Sequence, residues 1–102
     1  FDELLDCLES YKPGDSRVCL QDLSVLIRNT RDNEAEWPGM ESGLIKFLKG
    51  KATSDAKNFV CREVAIWGSE ALIPVLEKLI EDDDTKEMAR FAIERINEEY
   101  TN

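Results

Sequence analysis

Residues 54–67, SDAKNFVCREVAIW, and residues 83–96, DDTKEMARFAIERI, align at a shift of 29. Asp55 meets Asp84, Lys57 meets Lys86 and Phe59 meets Met88. Val60 meets Ala89, Val64 meets Ile93 and Trp67 meets Ile96. A shift of 41 lays Val18, Cys19, Leu23 and Leu26 over Phe59, Val60, Val64 and Trp67. The matched positions are apolar at helical spacing, so three equivalent amphipathic helices are expected. A repeat of this kind cannot cover its own apolar face and needs a stacked neighbour to do so.

Working outward, every other segment also reads as helix. Phe1, Leu4, Leu5 and Leu8 share one helical face. Lys12-Pro13-Gly14 stops that helix, and Asp15 or Ser16 is expected to cap the second. The second helix should run to about Asn29 and bury Val18, Cys19, Leu23, Leu26 and Ile27. Residues 30–39, TRDNEAEWPG, read as a polar insertion or frayed helix end. Met40, Leu44, Phe47 and Leu48 form the third apolar face, closed by Gly50. Thr53, Ser54 or Asp55 opens the fourth helix, and Gly68 ends it. Ser69 is expected to cap a fifth helix that tolerates Pro74 in its first turns and buries Leu72, Ile73, Leu76, Leu79 and Ile80. Asp84 should cap the sixth, which buries Met88, Ala89, Ala92, Ile93 and Ile96. No segment alternates with period two, so the class is all-α, without a sheet.

The stretch CREVAIWGSEALIPVLEKLIEDDDTKEMARFAIERI, residues 61–96, resembles HEAT-like repeats of the kind found in bacterial proteins. The features that carry the resemblance are the repeated apolar pattern, Gly68 at the corner, Ala71-Leu72-Ile73-Pro74-Val75-Leu76 and the acidic link into Met88-Ala89-Arg90. It is strongest over residues 54–96, moderate over 15–50 and absent from the first helix. The resemblance implies a short right-handed α-solenoid of about two and a half repeats. Residues 1–12 would form a capping helix, 15–50 a first repeat with an insertion, 53–82 a second and 84–100 a half repeat. The second, fourth and sixth helices would form a convex outer layer. The third and fifth would line a concave surface that holds partners.

The bulk numbers exclude several functions. At 102 residues the chain is one small domain or a piece of a longer array, and it opens on Phe1 rather than Met. Its formal charge of −9 repels phosphate backbones and anionic lipid headgroups, so no nucleic acid is expected as a partner. No apolar run approaches the roughly 20 residues that span a bilayer. Histidine is absent, which removes the commonest general base and metal ligand. Some HEAT-like proteins are enzymes: metal-dependent hydroxylases with His-Glu pairs, DNA glycosylases with a basic groove, and bilin lyases. The chain lacks histidine, is acidic, and carries no motif of the third kind. No catalytic residue, cofactor, metal or small-molecule ligand is therefore expected.

The remaining candidates each have a structural reading. Cys7, Cys19 and Cys61 are odd in number and widely spaced, so no disulfide framework is expected, and free thiols lean towards the cytoplasm over an exported location. Cys61 reads as a small packing residue, because a reactive thiolate needs a helix N-terminus or a cation facing it. Cys19 reads likewise as packing, and Cys7 is expected to be the most accessible. Glu81-Asp82-Asp83-Asp84-Thr85 lacks the glycine turn and distant glutamate of a calcium loop, and reads as a helix start. Glu63 falls inside an apolar arc and needs a partner, with Arg62 and Arg90 as candidates. Trp37 reads either as a contact residue or as a cover folded over the end of its repeat. The expected partner is a protein or a neighbouring domain of the same chain. Lys46, Lys49, Glu77, Lys78, Glu81 and Trp37 are its candidate contacts, against the alternative of an ordinary solvated face. A spacer between domains and an accessory subunit of an enzyme are the competing readings.

Overall fold

The computed structural model describes the backbone of residues 2–101 and the side chains of 3–98. Among the described residues it holds six α-helices and no strand: α1 Asp2–Glu9, α2 Val18–Arg31, α3 Trp37–Lys49, α4 Ser54–Trp67, α5 Ile73–Leu79 and α6 Lys86–Thr101. Short 3-10 turns at Glu34–Glu36 and Glu70–Leu72 lead into α3 and α5. Pro38 and Pro74 both sit in the first turn of their helix, where no intrahelical N–H is required.

Helix α4 packs on α2 and on α6, while α5 packs on α3 and on α6. The molecule measures 39 × 32 × 19 Å. Its shortest dimension is about two helix diameters, at roughly 10 Å each. The core runs through the interface: Leu23 and Ile27 from α2, Leu44 and Leu48 from α3, Val60 and Val64 from α4, Leu72 and Leu76 around α5, and Ala92 and Ile96 from α6 are buried. Ala89 and Ala92 are fully buried, and their small size suits close approach of α6 to α4. Phe91, on the outward side of α6, is 43% exposed.

The helix ends are set by named groups. The Thr53 hydroxyl accepts from the Ala56 N–H at 3.2 Å and donates to the Tyr11 carbonyl, so one side chain caps α4 and ties down the strap after α1. Thr53→Ala is expected to cost about 1–2 kcal/mol, read as a lowered urea midpoint, whereas Thr53→Ser should cost less. Gly68 ends α4 in the left-handed region at φ 81°, its N–H on the Val64 carbonyl at 2.8 Å. A β-carbon is strained there, so Gly68→Ala should cost about 1–2 kcal/mol, measured by the same denaturation.

Several expectations need correction. Val18 is 58% exposed, because it begins α2 ahead of the buried seam, which Leu20 joins instead. Leu26 and Cys19 are half-buried, and Phe1 lies outside the described residues. The insertion at residues 30–39 is mostly helical: α2 continues to Arg31, and Trp37 is the first residue of α3. Neither Asp15 nor Ser16 caps α2; Arg17 holds that position, without a side-chain bond. Gly50 does close α3 as its C-cap, with an extended backbone and its N–H on the Phe47 carbonyl. Ser69 does not cap the fifth helix; its hydroxyl donates to Glu41 and fixes the α4–α5 corner against α3. Thr85 displaces Asp84 as the residue before α6. It is buried, its hydroxyl donates to the Leu79 carbonyl at 2.8 Å, and its carbonyl accepts from the Ala89 N–H. The Asp84 carbonyl instead accepts from Asn58 Nδ2 at 3.0 Å, and Asn58 is half-buried.

Candidate functional site

The largest correction concerns the cysteines. Cys7 of α1 and Cys19 of α2 are joined by a disulfide across a Cα–Cα distance of 6.3 Å. That distance lies within the range a disulfide spans. The Lys12-Pro13-Gly14 turn reverses the chain and brings the two helices side by side, which spacing alone does not reveal. Gly14 takes φ 100°, a conformation that favours glycine. The pairing leaves Cys61 as the free cysteine, and removes the argument from free thiols for a reducing compartment.

Cys61 is fully buried, and burial pushes its thiol up to about 12 from an ordinary 9.0, outweighing the opposing effects of a backbone hydrogen bond and Lys57. It is a spacer rather than a nucleophile. A thiol reagent at pH 8 should leave Cys61 unmodified in the folded chain and modify it fully in denaturant. The sign of the pH effect follows. The unfolded chain releases this proton near 9.0 and the folded chain only near 12, so this contribution to stability is intact below pH 9 and is lost as pH rises between the two values.

Glu63 is 7% exposed and finds neither Arg62 nor Arg90. Ser24 of α2 donates its hydroxyl to the carboxylate, so the partner comes from a neighbouring helix. Glu63, Ser24, Arg17 and Arg62 line one shallow depression between α2 and α4.

Trp37 is engaged within the chain. Its indole N–H donates to the Thr30 carbonyl at 2.8 Å, and its ring meets Trp67 edge-on with centroids 5.3 Å apart. This geometry folds Trp37 back onto the chain, against Trp67 at the end of α4. The other five candidates are exposed: Lys46 and Lys49 on α3, Glu77 and Lys78 on α5, and Glu81 just beyond it. The packing of α3 on α5 puts them on neighbouring helices.

A groove of about 450 Å³ lies between α1 and the end of α3. Lys46 alone among the candidates lines it; Leu5, Asp6, Glu9 and Lys51 join it from segments the repeat pattern does not cover. The i, i+3 spacing of Asp6 and Glu9 was the available signal, since it puts both acids on one side of α1. No group of three or more Cys, Asp or Glu among the described residues is arranged to hold a metal ion. No helix among them is long and apolar enough to cross a membrane.

No protein-family model, curated protein or solved structure matches the chain. The comparisons lend the HEAT-like resemblance no support.

Proposed function

We propose that the chain is a non-catalytic scaffold built from HEAT-like repeats, which contacts another protein or a neighbouring domain of its own parent chain. On this reading α2, α4 and α6 are the outer helices of a short solenoid, α3 and α5 the inner ones, and α1 the cap. The observation that carries it is the agreement of sequence register with packing. The three helices related by shifts of 41 and 29 are those in which α4 packs on both α2 and α6. Equivalent positions are also buried: Leu23 and Val64 in one pair, Val60 and Ala89, and Trp67 and Ile96 in the next.

The disulfide supports an oxidising compartment for this scaffold, because such bonds persist there and are rare where thiols are kept reduced. A photo-crosslinking residue at Lys78, on the inner helix α5, is expected to capture a defined protein or the neighbouring domain of the parent. The same residue at Arg95, on the outer helix α6, should not. Equal capture at both positions, or none at Lys78, would contradict the reading.

A further inference from the structure

Three residues of the core reach one surface groove. Leu5, Phe47 and Ala52 are buried but keep 9%, 8% and 9% of their surface exposed. All three line the groove between α1 and the end of α3. Gly43, one turn before Phe47, brings no side chain to it. Apolar atoms left facing a shared gap lose both transfer free energy and dispersion contacts. One more large apolar side chain would recover them, and a groove of about 450 Å³ accommodates it.

The walls carry opposite charge. Asp6 and Glu9 stand on the α1 side, Lys46 and Lys51 on the α3 side, and all four are exposed. No ion pair joins them across the gap. Both walls are thus free to meet charges brought by a ligand.

The α1 wall is also held in place. The Cys7–Cys19 disulfide fixes it to α2, the Thr53 N–H donates to the Glu9 carbonyl at 2.9 Å, and the Thr53 hydroxyl donates to the Tyr11 carbonyl. A groove formed before binding spares the ligand the free energy of ordering it.

We propose that this groove docks a peptide segment of a partner protein. The segment presents one large apolar side chain to Leu5, Phe47 and Ala52, a basic residue to Asp6 and Glu9, and an acidic residue to Lys46 and Lys51. The proposal rests on the scaffold reading and adds to the face of α3 and α5 a second contact, in the α1–α3 cleft. A small apolar compound would satisfy the floor alone, and a peptide with both charges satisfies floor and walls. A second copy of the chain is disfavoured by mutual repulsion at a net charge of −9.

The test is a display selection of short random peptides on the oxidised full chain, repeated on the K46E/K51E variant, whose substitutions are exposed and leave the core intact. Calorimetry on the synthetic winner follows. The expected winner carries an aromatic residue or leucine with a base on one side and an acid on the other. Reversing two lysines should weaken it about tenfold or more, and winners selected on the variant should lose the acid. Absence of any enriched peptide, a winner without the charge pair, or equal affinity for both chains would overturn the groove. The crosslink at Lys78 tests the scaffold reading separately, so the two can fail independently.

Discussion

Trp67→Ala is expected to destabilise the chain by about 3–5 kcal/mol, the range for emptying a buried aromatic site. A domain of this size has about 5–15 kcal/mol to lose. The residue is 3% exposed, ends α4, and holds the edge-on contact with Trp37 that joins the start of α3 to the α4–α5 corner. Its removal opens a cavity between two helices at once. Trp67→Phe should be far milder. The indole N–H is buried without a hydrogen-bond partner, so phenylalanine removes an unsatisfied donor while keeping most of the ring. Chemical denaturation of the three chains checks this. Equal losses for the two variants would mean that the N–H, and not the volume, is what the site requires.

Reducing the Cys7–Cys19 disulfide is expected to cost about 3 kcal/mol, since a closed loop of this size restrains the unfolded chain by about that amount. Its cysteines are 12 residues apart. The effect should fall on α1, where Leu5 and Leu8 enter the core from a helix of only 8 residues. So short a helix does not hold itself in water. Urea midpoints with and without a dithiol reductant measure the difference, and a Cys7→Ser/Cys19→Ser chain should match the reduced protein. Cys61→Ala should leave the sensitivity to reductant unchanged, because that thiol is buried away from the bond. An unaltered midpoint in reductant would contradict the pairing.

What was legible in the sequence followed from local rules. The third-helix set Met40, Leu44, Phe47 and Leu48 is buried as spacing required, and Gly68 adopts the conformation that only glycine takes freely. Thr53 was one of three proposed caps and is the one used. Relations across the chain were not legible. The disulfide depends on how a turn aligns α1 with α2, and Ser24 became the partner of Glu63 because α2 and α4 are adjacent in space. Helix ends failed where tertiary contacts overrode propensity: Thr85 is drawn inward by the Leu79 carbonyl, and Asp84 loses the capping position to it. The groove escaped notice for the same reason, as its walls come from α1 and from the end of α3, which are far apart in sequence.

On the scaffold reading, α2, α4 and α6 are successive equivalents in a stack. Val25, Ile66 and Arg95 test it, since they are exposed and occupy equivalent positions at shifts of 41 and 29. Spin labels can be placed pairwise at these positions in a Cys61→Ala background, with the disulfide intact. Neighbouring helices pack about 8–10 Å apart. A stack therefore predicts similar short separations for Val25–Ile66 and Ile66–Arg95, and about twice that for Val25–Arg95. Three equal separations would mean that the helices close into a bundle, and the stacked-repeat account would be wrong.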